Sequence, residues 1–334
     1  MKSINTVRKY ALLLLVAAGL GACKKLDNGF ISPTIRYEED PVIIQKGRVK
    51  VSSALNLDGS SKPVSVKVLH FYDDATGAVV DDLFNTTYTI KGWTGLYDPK
   101  TDTTLELIAA KQTDMDVTPI SINPVSGQVE GNYTSLHLPA GLYSFDLEIT
   151  NGAGTKTYPK IGHIELVDGK PYEANPELGT PYTRMIKVGN ESVGASIFSP
   201  SVSIQRVAET PNIVVLKFVD KNGVPFNPAK GEIQRRPNGS SVTQPWLQTL
   251  QDYSLKTDVY DDRFEFTYGV VPYPFISQGN GFNVYYRIPS QYFSHDNQTS
   301  YPDGTYSANP RLVFRAFVPG KYEIVFKATD LTHR

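Results

Sequence analysis

The chain has 334 residues, with 33 Lys or Arg against 34 Asp or Glu, a formal net charge of −1, and a single cysteine. This balance excludes a broad basic surface for nucleic acid, and one thiol excludes an intramolecular disulfide framework and a cysteine-rich metal site. The histidines (His70, His137, His163, His295 and His333) show no His-x-x-x-His spacing, so neither a metal nor a cofactor is expected.

Lys2, Arg8 and Lys9 open the chain, Ala11 to Leu20 is apolar, and the small residues Gly21 and Ala22 precede Cys23. This is the charged, apolar and cleavage-site order of an export signal. The apolar run is short of the roughly 20 residues that span a bilayer. Leu20-Gly21-Ala22-Cys23 resembles the lipobox of bacterial lipoproteins. The resemblance implies a cleaved signal peptide over 1–22, acylation of Cys23 and a membrane anchor through that N-terminal lipid. Each buried methylene contributes about 0.8 kcal/mol, and two or more acyl chains make anchoring stable. Lys24 follows with no acidic neighbour, which by resemblance to Gram-negative sorting implies the outer membrane. Lys24, Lys25 and Asp27 partly match the surface-export tag of Bacteroidota lipoproteins and imply display on the cell surface. Without the three leader cations the remaining 312 residues carry a net charge of −4.

Residues 23–40 read as a lipidated tether. From Val42 the texture is that of strands: short runs rich in Val, Ile, Tyr, Phe and Thr, bounded by Gly, Pro, Asn and Asp. Val49, Val51 and Leu55, then Val64, Val66 and Val68, predict two strands around a turn at Asp58-Gly59-Ser60. Thr104 to Lys111 is compatible with a strand or one helical turn. No stretch sustains a 3.6-residue apolar period, so little helix is expected.

Two signatures occur twice. Val68-Leu69-His70-Phe71-Tyr72-Asp73 returns as Val215-Leu216-Lys217-Phe218-Val219-Asp220. Gly141-Leu142-Tyr143-Ser144-Phe145 returns as Gly320-Lys321-Tyr322-Glu323-Ile324. The recurrence predicts an all-β protein of two tandem, related sandwich domains. In the late signature a glycine permits a sharp entry and alternate large residues line one face. Glycine-x-tyrosine there resembles closing strands of immunoglobulin-like and fibronectin-like sandwiches, where a corner tyrosine bonds nearby backbone. The expected division is domain 1 over 41–175, a linker over 176–184 and domain 2 over 185–334. Leu69 to Tyr143 is 74 positions and Leu216 to Tyr322 is 106, so domain 2 should carry a long insertion. Between Tyr253 and Tyr306, 14 of 54 residues are Tyr or Phe, which places that insertion in aromatic-rich sequence.

Catalytic chemistry finds no support. The pairs Asp73-Asp74, Asp81-Asp82 and Asp261-Asp262 are neighbours, which in a strand point to opposite faces and in a turn bond backbone amides. His295-Asp296 lacks a nucleophile elbow. No catalytic residue is expected. Aromatic rings are the remaining candidates, because the C–H faces of sugars pack on flat rings while hydroxyls bond amides and carboxylates. Trp93 and Tyr97 lie in a loop-like stretch, and Trp246 follows Pro245. Tyr273, Phe275, Tyr285, Tyr286, Tyr292 and Tyr301 lie in the aromatic run near Asn280, Gln291, Asp296 and Asn297. The candidate ligand contacts are Trp93, Tyr97, Trp246, Tyr273, Tyr285 and Tyr292; the competing reading is that these rings fill a core.

The lipobox, the Cys23-Lys24-Lys25-Leu26-Asp27 tag and the doubled β pattern resemble accessory outer-membrane lipoproteins of Bacteroidota. The stretches Tyr37-Glu38-Glu39-Asp40-Pro41 and 47–60 are similar to a domain family of unknown function among them. Relatives of that kind accompany the TonB-dependent porin and starch-utilisation-type lipoprotein of nutrient uptake systems. The resemblance implies a non-catalytic surface lipoprotein that binds a polysaccharide or oligosaccharide, with an uptake porin as partner. The alternative is a structural or adhesive lipoprotein that contacts other proteins; a hydrolase with an unrecognised site ranks behind both.

Overall fold

The computed structural model describes residues 29–175, 177–239 and 242–334. The leader, Cys23 and the first residues of the expected tether lie outside the described residues. Among those described, strands dominate and the helices are single turns, such as Asp81–Asn85 and Leu105–Ala109. The all-β expectation therefore holds, and Thr104 to Lys111 resolves as a helical turn capped by Thr104, whose hydroxyl accepts from the Leu107 amide. No helix among the described residues is long and apolar enough to cross a membrane.

Two compact units are formed: 29–87 with Thr118–Asp168, and Tyr88–Val117 with Gly169–Arg334. This differs from the expected 41–175 and 185–334 in three places. Ile35 and Tyr37 are buried in the core of unit 1, and Tyr37 Oη donates to the Gly127 carbonyl at 2.6 Å, so the body begins before residue 41. The hairpin Tyr88–Trp93 with Gln112–Val117 packs with unit 2. Tyr172–Ala174 and Tyr182–Lys187 both pair with the strand Tyr306–Ala316, so 177–184 of the expected linker lies inside unit 2, its last three residues in a strand.

Unit 1 is an immunoglobulin-like sandwich. One sheet runs in the order Val42–Gln45, Gly154–Val167, Gly141–Asn151, Ser65–Asp73; the first pair is parallel and the others antiparallel. The facing sheet is Lys50–Val51, Val129–Gly131, Ile120–Ile122. Alternation along Tyr143, Phe145, Leu147 and Ile149 puts all four rings and chains on one face, where they meet Ile44, Ile120, Val129 and Ile164. Each such fully buried side chain stabilises the unit by about 1.5–3 kcal/mol. The expected hairpin over 49–68 does not form: Val49 and Val51 are exposed, and Lys50–Val51 and Ser65–Asp73 belong to different sheets.

Unit 2 is also a two-sheet sandwich. A five-stranded sheet (Ser201–Ala208, Lys321–Lys327, Ile213–Val219, Phe264–Thr267, Lys256–Val259) faces a six-stranded one. The latter is built on Gly194–Ile197, Tyr182–Lys187, Tyr306–Ala316, Asn283–Arg287 and Gln234–Arg235, with Tyr172–Ala174 attached to Tyr306–Ala316. Leu216, Phe218, Phe266, Ile324 and Phe326 meet Met185, Val284, Tyr286, Leu312 and Phe314 in the core between them.

The aromatic run is not an insertion. Phe264–Thr267, Asn283–Arg287 and Tyr306–Ala316 are integral strands of these sheets, and Phe266, Tyr268, Tyr273, Tyr286 and Phe293 are core residues. Dense aromatics here fill a larger interior.

The repeated signatures match in part. Both late signatures end in the same corner: Tyr143 Oη donates to the Pro139 carbonyl at 3.1 Å and Tyr322 Oη to the Val318 carbonyl at 2.9 Å, four residues upstream in each case. Gly320 has φ +150°, and a β-carbon there would lie 2.5 Å from the Ala208 carbonyl oxygen, so glycine is required. Gly141 meets only ordinary contacts, and the argument does not extend to it. The early signatures diverge. Ser65–Asp73 pairs antiparallel with its corner strand, whereas Ile213–Val219 pairs parallel with Lys321–Lys327. The two units share a corner, while the strands of the early signatures pair with it in opposite senses.

Candidate aromatic site

The hairpin of unit 2 carries Trp93 at the end of one strand, opposite Gln112. Between them the chain folds into a compact loop. The Thr94 amide donates to the Lys111 carbonyl at 2.8 Å, and the Asp102 amide to the Asp98 carbonyl at 2.8 Å. The Asp102 carboxylate is nearly inaccessible, and Lys111 Nζ pairs with it at 2.8 Å and also donates to the Leu96 carbonyl at 3.0 Å. The Asp98 amide adds a second donor to this carboxylate, at Oδ2 and 2.7 Å. The Lys111 hydrogen bond, then the Asp98 amide, hold the Asp102 carboxyl below its ordinary range. This ion pair ties both ends of the loop to its middle.

On that support three rings come together. Trp93 and Tyr97 have centroids 5.6 Å apart at 40°, and Tyr97 meets Phe275 edge-on at 5.2 Å and 89°. Trp93 and Phe275 are each 44% exposed, and Tyr97 is half-buried between them. Burial, with Asp102 and Asp98 adding, pushes the Tyr97 hydroxyl up, so it stays neutral and able to donate. The rings are not coplanar; Trp93 is part-exposed with Tyr97 against it, and Phe275 packs on the far side of the contact, against Tyr97.

The other candidates lie elsewhere. Tyr273 is 0% exposed, stacks on Tyr268 at 5.0 Å and donates to the Gly320 carbonyl at 2.5 Å, which makes it a core residue. Tyr285 is buried on the six-stranded sheet, where its hydroxyl accepts from Asn280. Tyr292 packs against the core. Trp246 is exposed and bridges Pro237. Sequence reasoning placed Phe275 in the aromatic run but did not name it as a contact, because only the fold brings residue 275 to residue 97.

Acids and histidine are engaged locally. Asp73 accepts from the Ala75 amide at 2.8 Å, Asp81 from the Phe71 amide at 2.7 Å, and Asp262 pairs with Arg263 at 2.8 Å. Asp296 pairs with Lys221 rather than orienting His295, whose Nδ1 accepts from the Asn297 amide at 2.8 Å. No group of three or more metal-ligating side chains occurs among the described residues.

No family model matches the chain, and no curated protein matches it. Among solved structures it is similar, at TM-score 0.26 and 10% identity, to a SusE-like surface located polysaccharide binding protein from the heparin utilisation locus of Bacteroides thetaiotaomicron. That alignment covers 88% of this chain and 53% of the other. It is similar at TM-score 0.20 and 10% identity to the N-terminal four Ig domains of Dscam1 isoform 4.4, over 89% of this chain and 53% of that one. The chain thus spans about half the length of each, and likenesses this slight add nothing to the fold read from its own strands.

Proposed function

We propose that this protein is a non-catalytic, lipid-anchored lipoprotein of the outer membrane that binds a polysaccharide or oligosaccharide for an uptake complex. The observation that carries the reading is the part-exposed cluster of Trp93, Tyr97 and Phe275, with Trp93 and Tyr97 on a loop held by the Asp102–Lys111 pair. An apolar patch of three neighbouring rings left partly open to water is a surface that a sugar ring can cover. On this reading Cys23 supplies the anchor and a TonB-dependent porin is the partner that takes up the captured glycan. Leu96, 91% exposed beside Tyr97, favours a second reading in which the same loop docks a protein. Affinity electrophoresis through gels containing neutral polysaccharides separates the two. Retardation by a polysaccharide that Trp93→Ala abolishes is the expected result. No retardation in any gel, or equal retardation of Trp93→Ala, overturns the glycan reading at this loop.

A further inference from the structure

The six-stranded sheet of unit 2 sends alternate residues into the core. Leu312, Phe314, Val284, Tyr286 and Met185 face inward. By the two-residue period of a strand, Arg311, Tyr285, Arg287, Tyr182 and Arg184 then share the opposite face. Register aligns them in two rows. Tyr182, Arg311 and Tyr285 are direct neighbours across three strands, and Arg184 lies opposite Asn309 in the next row. Arg287 Nε donates to Asn309 Oδ1 at 2.8 Å, which adds a second guanidinium to that row. The Arg311 guanidinium lies 5.0 Å from the centre of the Tyr182 ring, and Arg236 lies 5.9 Å from that of Tyr285.

Four guanidinium groups thus gather around two tyrosines. Their counter-charge is sparse. Arg287 pairs with Glu191 at 2.8 Å. Among the described residues Arg184, Arg236 and Arg311 make no ion pair, and the Nε groups of Arg236 and Arg311 are buried without a hydrogen-bond partner. Burial holds Arg236 below the ordinary arginine range, and the charges of Arg287 and Arg184 push the same way, against Tyr182 and Glu191. Like charges crowded over low-dielectric sheet repel each other, and buried donors without acceptors cost free energy. An arriving anion relieves both.

We infer that this arginine and tyrosine face binds the carboxylate or sulfate groups of an acidic polysaccharide. The word polysaccharide rests on the function proposed above; the anionic class rests on the arginines. The planar fork of a guanidinium matches a carboxylate or sulfate with two parallel hydrogen bonds. Tyr182 and Tyr285 already hold Arg311 and Arg236 in place, so less freedom is lost on binding. A polysaccharide is favoured over nucleic acid because the chain as a whole is slightly acidic, with no extended basic stripe to follow a duplex. Trp246 lies next to this face in the fold: it bridges Pro237, and the Leu247 amide bonds the Arg236 carbonyl.

The test is affinity electrophoresis of the purified protein in detergent through gels containing polygalacturonate, dextran sulfate, neutral dextran or duplex DNA. Retardation by one of the two acidic polysaccharides is expected, weakening at least about tenfold in Arg184→Gln/Arg311→Gln, since each charge-assisted bond lost costs about that factor. Trp93→Ala should leave this retardation in place. Arg184→Gln alone, whose side chain has no ion pair to lose, serves as the second variant if the double variant fails to fold, and should show a weaker form of the same loss. No retardation by either acidic polymer overturns the inference even if a neutral glycan binds through Trp93, which separates the two proposals. Arginine-dependent retardation by DNA as strong as that by the polysaccharides also overturns it, in favour of a general polyanion surface. Equal binding by Arg184→Lys/Arg311→Lys overturns the fitted, two-bond geometry.

Discussion

The δ-methyl of Ile108 lies 2.2 Å from where a β-carbon on Gly269 would stand. Ile108, on the single helical turn of the hairpin loop, is only 2% exposed, and this contact fastens the loop to the body of unit 2. Gly269→Ala should force Ile108 and the adjacent Leu255 to shift, costing about 1–3 kcal/mol. Ile108→Ala should cost about 2–5 kcal/mol through lost burial and the cavity left behind. Urea unfolding followed by tryptophan fluorescence measures both. A wild-type midpoint in either variant would show that the loop is held by other means.

The paired corners give a second expectation. Tyr143→Phe and Tyr322→Phe each remove one hydroxyl and strand a carbonyl in a largely dry site. Each should cost about 1 kcal/mol, rising towards 3 where water cannot reach the carbonyl. Because the two lie in different units, their effects should add. Chemical denaturation of the single and double variants tests this; a neutral Tyr322→Phe would deny the corner a stabilising role.

His295 sets a pH dependence. Its ring is buried, Nδ1 accepts a backbone hydrogen bond, and Nε2 has no partner, in a small cavity also lined by Thr183, Met185, Ser199 and Asp330. Burial lowers its pKa below 6.5, and the charges of Asp330 and Asp296 only partly oppose this. The unfolded chain therefore takes up the proton first as pH falls. The contribution of His295 to stability is present above about pH 6.5 and is lost as pH drops from there through the lower folded value. The denaturation midpoint of the wild type should fall more steeply over that range than that of His295→Gln. Parallel curves would mean that the imidazole titrates as it does in water.

Membrane attachment can be tested at one atom. Cells grown with radioactive palmitate should label the wild-type protein and leave Cys23→Ala unlabelled. Label that persists in the variant would exclude Cys23 as the lipidated residue.

Local features of the fold were readable from the sequence, and long-range ones were not. Strand texture, the scarcity of helix and the two corner tyrosines follow from short-range composition. The polarity of a partner strand does not: Val215-Leu216-Lys217-Phe218 looks like Val68-Leu69-His70-Phe71, yet one pairs parallel and the other antiparallel with its corner strand. Tyr273 and Tyr285 read as possible platforms because an aromatic run looks the same whether it fills an interior or lines a surface. Trp93 and Tyr97 were found because they are four residues apart in one loop. Arg184, Arg236, Arg287 and Arg311 were missed because they are spread over more than a hundred residues, and only strand register assembles them.

The intercalated order of the two units has a consequence for biogenesis. Residues 88–117 are made before most of the body that receives them, so Ile108 has no Gly269 to settle against until about 160 further residues have been added. A nascent chain in that state displays an unsheltered greasy arm, the kind of surface that chaperones recognise. A fragment cut at residue 169 to isolate the C-terminal half would discard the arm altogether and leave its seat bare.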